Sequence, residues 1–411
     1  MAATSSELIV EPAARLTPLR EPPPRGPGKR LGWIGIVVLM AVVLELTCRA
    51  EDWVMYRMPF WSRYSSLDQL VIRDAVGMHG RPNAQYEKWI MNALGMRGPA
   101  AQVAPPPGTH RIITVGASET FGLYESPGRE YPRQLQDSLN AMLGRGECSA
   151  PPGTRFEVLN GAFAGMGLPT IAQDIRNRLA RLKPEFIVIY PSPASYLDDI
   201  APHAAAPDSS YRAIEPPLRR TLYPRALARM REQSKQLVPE FLKARLRVWQ
   251  ARSVVAEHPA GWRFETVPPD RLAQYESDLR AVIGTVRAIG ARPVLATHGN
   301  EFMGRESIDQ NMFMSWEKFY PRATSRTLVA MDSLARDVTR RVGTDSGVVV
   351  VDAATTLAAA PVSAFADFVH FTDFGAGLMA GSLTEGILSA ARSAGICSVA
   401  PRSRPNSTEL H

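Results

Sequence analysis

The chain has 411 residues, of which 45% are hydrophobic and 21% are charged. This balance is typical of a globular protein with one large core, and it excludes fibrous and wholly disordered chains. The formal net charge of +7 has two explanations: an anionic partner, such as nucleic acid, anionic lipid or an acidic polymer, or simply a high use of arginine. We favour the second explanation, and no nucleic-acid partner is predicted.

A polar N-terminal stretch is followed by an apolar segment, residues 31–48, whose one charge is Glu45. The segment is long enough to span a membrane. It lacks the polar stripe of a buried helix, and no small-x-small cleavage site of a signal peptide follows it. Lys29 and Arg30 at its start favour a cytoplasmic N-terminus. We predict a disordered cytoplasmic tail over 1–30, one transmembrane helix over 31–48 and an extracytoplasmic remainder.

The three cysteines are Cys48, Cys148 and Cys397. None lies in a CxxC pair or in a Cys/His cluster with metal-ligand spacing, so neither a zinc site nor a catalytic thiol is predicted. In an oxidising compartment Cys148 and Cys397 can pair, which leaves Cys48 at the membrane. Two buried free thiols are the alternative.

The rest of the chain is predicted to form a connector over 49–109, a domain over 110–394 and a C-terminal tail over 395–411. Aromatic residues of the connector fit either the membrane interface or packing on the domain. Within the domain, short β-branched runs alternate with helical patterns, which is typical of βαβ units and a parallel sheet. The predicted strands cover 111–115, 156–159, Phe186–Tyr190, 293–297 and 348–351. The predicted helices cover 131–143, 170–182, 269–289, 325–341 and 375–391. This pattern predicts a three-layer α/β/α domain.

A long insertion over 200–268 interrupts the alternation. It contains a proline pair at 216–217 and an arginine-rich helical pattern over 219–252. Segments of this length in a compact domain are usually lids, partner surfaces or disorder. The basic face fits anionic lipid or an acidic glycan, but a solvated helix face is the interpretation we favour.

Two polar motifs follow predicted strands, where the ligand site of an open parallel sheet lies. The first strand is followed by Gly-Ala-Ser-Glu-Thr-Phe-Gly, a turn that presents Ser118 at the sheet edge, and the last strand is followed by the loop Asp367-Phe-Val-His370. A serine becomes nucleophilic when a histidine accepts its proton and a carboxylate orients that histidine. The motifs predict a triad of Ser118, Asp367 and His370. A helix-capping aspartate beside a surface histidine is the alternative.

These motifs resemble those of the SGNH (GDSL-like) hydrolase family, in particular its membrane-anchored bacterial branch. The serine turn is similar to the family's first block, and the Asp-x-x-His loop matches its last. The stretch Asn-Gly-Ala-Phe-Ala-Gly over 160–165 is similar to the second block, in which Gly165 matches the glycine whose backbone N–H binds the oxyanion. Residues 92–99 are similar to a segment common in the membrane-anchored branch. The resemblance implies a flavodoxin-like parallel sheet and no metal or organic cofactor.

The chain departs from this family in the third block. Family members carry an asparagine just after the third strand, and its amide is a further oxyanion donor, but Ala194 stands there. The resemblance therefore implies an oxyanion hole of the backbone N–H groups of Ser118 and Gly165. Either another group supplies a third donor, or activity is reduced, specialised or absent. Three polar residues are candidates for such a donor: Asn160, Ser192 and Ser195.

The resemblance implies a serine esterase in which Ser118 attacks an ester carbonyl, His370 accepts and returns the proton, and Asp367 orients His370. The topology places the domain in the periplasm, held to the bacterial inner membrane by residues 31–48. The expected substrate is an O-acyl ester, chiefly acetyl, of an envelope or secreted glycan, or a small ester. Two alternatives stay open: an O-acyltransferase with the same triad, and a non-catalytic SGNH-like domain that binds glycan or acts as a scaffold.

Overall fold

The computed structural model of the protein describes residues 27–64, 66–74, 76–198, 224–236, 239–304 and 309–398. The strands, in chain order, are β1 (Val71–Asp74), β2 (Gly77–Gly80), β3 (Gln85–Tyr86), β4 (Trp89–Ile90), β5 (Thr109–Gly116), β6 (Arg155–Asn160), β7 (Phe186–Tyr190), β8 (Arg292–Ala296) and β9 (Val349–Val351). The α-helices are α1 (Pro27–Tyr56), α2 (Ser118–Phe121), α3 (Tyr131–Gly144), α4 (Leu168–Asp174), α5 (Arg225–Gln236), α6 (Glu240–Ala256), α7 (Pro269–Ala288), α8 (Gln310–Phe319), α9 (Ser325–Ser346), α10 (Ala353–Ala358) and α11 (Asp373–Ser393). Short 3₁₀ segments cover Leu67–Leu70, Ala180–Leu182 and Pro193–Leu197, and a π-helical turn covers Ile175–Leu179.

Five strands form one parallel sheet in the order β6, β5, β7, β8, β9. Counted along the chain within this sheet, the order is 2-1-3-4-5, as in flavodoxin-like folds. The direction of winding reverses between β5 and β7, and ligands of such sheets bind outside the carboxyl ends of the strands at that point. The structure confirms the predicted three-layer α/β/α fold and draws attention to the residues that follow β5 and β7.

Alternating side chains of the strands build one apolar layer on each face of the sheet. In β7, Ile187 and Ile189 belong to the layer that includes α4, α7 and α9, whereas Phe186 and Val188 belong to the layer that includes α3 and α11. All four side chains are fully buried. Burial on both faces explains why this strand has a continuous apolar sequence.

The predicted strands and helices of the domain are all present, with ends shifted by up to five residues. The predicted helix over 170–182 is irregular: α4 leads into the π-helical turn and then into a 3₁₀ segment. The sequence does not predict the hairpins β1–β2 and β3–β4, since strands of two to four residues are too short to show a periodicity.

Much of the connector is part of the folded domain. Met78, Met91 and Met96 are buried in the same apolar layer as Ile187. Of the aromatic residues of the connector, Tyr64 packs against this layer, as one of the two expectations has it. Trp61, by contrast, is 65% exposed.

Helix α1 extends beyond the predicted span of 31–48 at both ends. Residues Gly32–Tyr56 are long and apolar enough to cross a membrane, with a mean hydropathy of 2.0 in the most apolar window. Only 11% of that window is buried, whereas an apolar helix in the core of a soluble protein would be covered. A membrane anchor and a signal sequence both fit this helix.

Part of the basic insertion is paired with the end of α1. Arg229 in α5 forms ion pairs with Glu51 and with Asp52, the latter at 2.5 Å. Some of the arginines that could have met an acidic partner therefore contact carboxylates of the same chain. Several predicted features lie outside the described residues: most of the cytoplasmic tail (1–26), the first part of the insertion (199–223, with the proline pair at 216–217) and most of the C-terminal tail (399–411).

A disulfide joins Cys148 and Cys397, with the two Cα atoms 5.4 Å apart. It links the chain after α3 to the segment after α11, and the two chain segments also form a short antiparallel bridge between Ser149 and Ser398. The predicted pairing is confirmed. Cys48 in α1 is a buried free thiol.

Candidate active site

Ser118 lies just beyond the carboxyl end of β5, at the start of α2. This turn requires a glycine at each end. A Cβ on Gly116 would lie 2.7 Å from the carbonyl oxygen of Tyr190, and Gly122 adopts a φ of 88°, in the left-handed region. Ser118 is partly exposed, whereas the two residues after it are buried. The turn therefore presents the serine hydroxyl at the edge of the sheet, where the sequence analysis expects it.

Two buried polar side chains hold this turn. The Nδ2 atom of Asn160, at the end of β6, donates to the carbonyl oxygens of Thr120 at 2.9 Å and Phe121 at 3.3 Å. The guanidinium of Arg97 donates to the carbonyl oxygen of Phe121 at 2.7 Å and to that of Gly122. Helix α2 is a single turn, so these bonds satisfy carbonyl groups that have no partner within the helix. Residues 92–99, the segment that contains Arg97, thus supply a support for the serine turn.

Asp367 and His370 lie between α10 and α11 and are paired. The Nδ1–H of His370 donates to the Asp367 carboxylate, with Nδ1–oxygen distances of 2.9 and 2.8 Å. The same carboxylate accepts the backbone N–H groups of Val369 at 3.0 Å and His370 at 2.9 Å. These bonds fix the ring and leave its Nε2 atom with the free lone pair. That Nε2 atom is buried and has no hydrogen-bond partner within the described part of the chain.

The electrostatic environment increases the basicity of His370. Burial lowers the pKa of His370, but the hydrogen bond to Asp367 and the charges of Glu119, Asp367 and Glu125 outweigh it and raise that pKa. Burial would raise the pKa of Asp367, but the hydrogen bond and the charge of His370 hold it below its ordinary value. An ionised carboxylate beside a more basic imidazole has the properties of an orienting acid and a general base.

The Ser118 hydroxyl donates to Oε2 of Glu119 at 3.3 Å, and therefore not to the unpartnered Nε2 of His370. The serine turn and the loop of Asp367 and His370 are nevertheless close enough for the charge of Glu119 to act on His370. The ring of Tyr124, shortly after α2, also lies 5.2 Å from the His370 ring. Rotation of the Ser118 side chain would be needed to form the serine–histidine hydrogen bond, and such bonds are often loose in ligand-free sites.

Of the residues predicted for the oxyanion hole, Ser118 follows β5, Asn160 ends β6 and Gly165 lies in the turn after β6, whereas the third block follows β7. Gly165 is exposed and has a φ of 85°. Ala194 is 3% exposed and packs in the core. The Ser195 hydroxyl donates to the carbonyl oxygen of Ser192 at 2.9 Å, whereas the Ser192 hydroxyl donates to Oε1 of Glu119 at 3.1 Å. Ser192 is therefore a polar side chain beside the nucleophile turn, while Ser195 is bonded to its own loop.

The site contains a second histidine, which the sequence does not predict. His298 follows β8 and is 2% exposed. Its Nδ1 lies 2.5 Å from Oδ1 of Asp332 in α9, and its Nε2 lies 3.3 Å from Oε1 of Glu119. Its ring stacks on Tyr190 at 5.1 Å. Asp332 also accepts a hydrogen bond from Arg336 at 2.5 Å. Because both ring nitrogens of His298 face carboxylates, both carry protons and the ring is an imidazolium.

His298 and Glu119 each stabilise the charged form of the other. Burial would lower the pKa of His298, but the charge and hydrogen bond of Asp332 and those of Glu119 raise it to about 9. Burial would raise the pKa of Glu119, but the hydrogen bond and charge of His298, with the charge of His370, hold it at about 2. The rule that located Ser118 could have located His298, which also follows a strand of the sheet. No sequence pattern links it to Asp332.

Glu125 is a second buried carboxyl near the site, and its pKa is raised, whereas that of Glu119 is lowered. It is 1% exposed, and its Oε1 atom has no hydrogen-bond partner among the residues described. Burial raises the pKa of Glu125 to about 7, although the charge of Arg97 opposes this. Its carboxyl is therefore neutral in mild acid and becomes charged only near neutral pH.

No protein-family model matches the chain, and no curated protein matches it significantly in sequence. Among solved structures it is similar to a lipase/acylhydrolase from Enterococcus faecalis, with 14% identity over 68% of this chain and 96% of that chain, and a TM-score of 0.38. It is also similar to an acetylxylan esterase from Geobacillus stearothermophilus, with 14% identity over 68% of this chain and 94% of that chain, and a TM-score of 0.37. A third similar structure is an alpha/beta hydrolase enzyme from the metagenome of Lake Arreo, with 15% identity over 67% of this chain and 94% of that chain, and a TM-score of 0.37. With similarity at this level, the function has to be argued from the site.

Proposed function

We propose that the protein is a serine esterase of the SGNH type, with Ser118 as nucleophile, His370 as general base and Asp367 as its orienting acid. The observation that carries this proposal is the state of the His370 ring: Asp367 holds Nδ1, and the buried Nε2 has no hydrogen-bond partner among the described residues. A buried polar atom without a partner is costly. A serine hydroxyl that turns toward the ring would satisfy it. The helix-capping alternative for Asp367 does not apply, because Thr372 caps α11.

In the proposed reaction, the Ser118 hydroxyl turns from Glu119 to Nε2 of His370 and transfers its proton as the oxygen attacks the ester carbonyl. The oxyanion is stabilised by the backbone N–H groups of Ser118 and Gly165. His370 then gives the proton to the leaving alcohol, and water activated by the same base releases the acid. One missing oxyanion donor costs about 2.7–4 kcal/mol, or roughly 10²–10³ in rate. With Ala194 in the third block, we expect a slow enzyme.

We further propose that α1 anchors the domain at the outer face of a bacterial cytoplasmic membrane. The exposed apolar surface of α1 supports this location. The disulfide between Cys148 and Cys397 supports it independently, because structural disulfides are typical of oxidising compartments. In that compartment the substrate class we propose is an O-acyl ester, chiefly acetyl, of an envelope or secreted glycan.

The test is to label the full chain in detergent with a fluorophosphonate probe. We expect stoichiometric labelling of the wild type, none of Ser118→Ala, and strongly slowed labelling of His370→Ala. Ser393→Ala is the matched control, because this serine lies at the end of α11 and donates only to a helix carbonyl. Equal labelling of wild type and Ser118→Ala would refute the assignment of the nucleophile.

A second candidate function is a non-catalytic glycan-binding domain, which the buried methyl group of Ala194 favours. This candidate predicts no labelling under conditions where a known serine esterase reacts, together with binding of an acetylated glycan. An O-acyltransferase would label like an esterase. It would be distinguished by transfer of the acyl group to a sugar hydroxyl in preference to water.

A further inference from the structure

A carboxylate that the proposed reaction does not use lies beside the nucleophile. Glu119 is 2% exposed. Its Oε2 accepts the hydroxyl of Ser118 at 3.3 Å, and its Oε1 accepts the hydroxyl of Ser192 at 3.1 Å and Nε2–H of His298 at 3.3 Å. The side chain thus joins the serine turn after β5, the loop after β7 and the loop after β8. An ionised group at this place needs a compensating cation.

That cation belongs to a buried row of alternating charges. The row runs from Glu119 to the His298 imidazolium, then to Asp332, and ends at Arg336, which is partly exposed. Each buried charge has a neighbour of opposite sign within 3.3 Å. The negative charge next to Ser118 is therefore balanced without help from a substrate.

Four charged or titratable groups contact His370 or act on it through their charge. Asp367 comes from its own loop, and Glu119, Tyr124 and Glu125 come from the serine turn and the residues after it. Asp367 acts through a hydrogen bond, whereas Glu119 acts on His370 through its charge. The effect of Glu119 therefore persists after the Ser118 hydroxyl has turned away from it.

We propose that Glu119, kept ionised by the buried His298–Asp332 pair, is a positioning residue of the esterase. It holds the resting Ser118 hydroxyl, and its charge favours the imidazolium form of His370 that proton transfer from the serine creates. This inference rests on the proposed function for its role in catalysis. The electrostatic link between Glu119 and His370 can be measured without any turnover.

The first arm of the test titrates the histidines of the full chain in detergent by NMR. The chain has seven histidines, and the variants His370→Gln and His298→Gln assign the two signals of interest. We expect the pKa of His370 to fall by about one unit or more in Glu119→Gln, because one unit charge has an effect of about one unit even at roughly 12 Å when the effective dielectric constant is near 20. Glu317→Gln is the matched control. It removes another buried carboxylate, one that binds Ser325 and Arg263, and should leave the pKa of His370 unchanged.

The second arm follows the rate of fluorophosphonate labelling against pH. We expect the acid limb to move to lower pH by about one unit in Glu119→Gln, because His370 must be neutral to accept the proton. His298→Gln should slow labelling in the wild-type background but cause no further loss in the Glu119→Gln background, since it acts through Glu119. A merely structural role for Glu119 would lower stability without moving the acid limb.

The two arms separate the two possible failures. An unchanged pKa of His370 in Glu119→Gln, or additive effects of the two substitutions, would overturn the inference even if the wild type labels normally. A shifted pKa of His370 together with a wild type that does not label would overturn the proposed function and leave the electrostatic link in place.

Discussion

Glu125 allows a measurement of the free-energy cost of an unpaired charge buried near the site. Its Oε2 atom accepts the backbone N–H of Tyr124 at 3.1 Å, while its Oε1 atom has no partner within the described residues. Burial raises the pKa of this carboxyl from 4.5 to about 7. We predict that Glu125→Gln, which preserves the shape and removes the ionisation, stabilises the protein at alkaline pH relative to the wild type.

The sign and size of the effect follow from the pKa shift. A carboxyl with a raised pKa in the folded state binds its proton more tightly there than in the unfolded chain. Its contribution to stability is complete below pH 4.5, and it is lost as the pH rises through about 7. At 1.36 kcal/mol per unit, the rise from 4.5 to about 7 corresponds to about 3 kcal/mol. The Glu125→Gln variant cannot undergo this loss.

The assay is denaturant unfolding of wild type and variant at pH 5 and at pH 8. We expect the free energy of unfolding of Glu125→Gln, relative to wild type, to increase by about 2.5 kcal/mol between the two pH values, because a small part of the total is already lost at pH 5. The control is Glu317→Gln, because the pKa of Glu317 is lowered by Ser325 and Arg263 despite burial, so that this group titrates below the tested range. A difference for Glu125→Gln that is the same at both pH values would refute the reasoning, since it would mean that the carboxyl ionises without penalty.

Three further predictions concern the triad, the third block and the disulfide. Asp367→Asn should slow fluorophosphonate labelling by about 10³–10⁴, because an amide can still accept the backbone N–H groups but no longer favours the Nδ1–H tautomer; a rate near that of wild type would contradict this role. Ala194→Asn should lower the free energy of unfolding by about 1–3 kcal/mol without faster labelling, because the Ala194 methyl group packs in the core; faster labelling at unchanged stability would show that the amide reaches the oxyanion. Cys148→Ser should lower the midpoint of thermal unfolding, with a cost of about 2–5 kcal/mol, and reductant should have the same effect on wild type but none on the variant.

The sequence predicts those elements of the fold whose own residues carry the pattern that determines them. The five residues of β7 are apolar throughout because both faces of the strand are covered, and they are predicted to the residue. The C-terminal end of α9 is less well predicted, because Gly347 in a left-handed conformation ends the helix five residues after the expected boundary. The two short hairpins of the connector give no periodic signal, and their burial depends on contacts with the later domain.

The same distinction applies to the site. The residues of the proposed triad occur in two short motifs, so their types and order were enough to predict them. The support of the serine turn by Arg97 depends on contacts across 24 and 25 residues, and the His298–Asp332 pair spans 34 residues. No spacing rule applies to such pairs, because the loops and helices between them set the distance. Side chains that act through other side chains are therefore the part of a site that a single sequence reveals least.

The row of charges also bears on why a carboxylate is tolerated where an oxyanion has to form. An unpaired Glu119 carboxylate would repel the negative charge that develops on the ester oxygen. The His298 imidazolium counters this repulsion, because it neutralises Glu119 on the side away from Ser118, and Arg336 does the same for Asp332. The Ser118 hydroxyl then donates to a carboxylate that has its own cation in contact with it. Loss of His298 should for this reason have much the same effect as loss of the Glu119 charge, because a buried carboxylate without its cation takes up a proton instead.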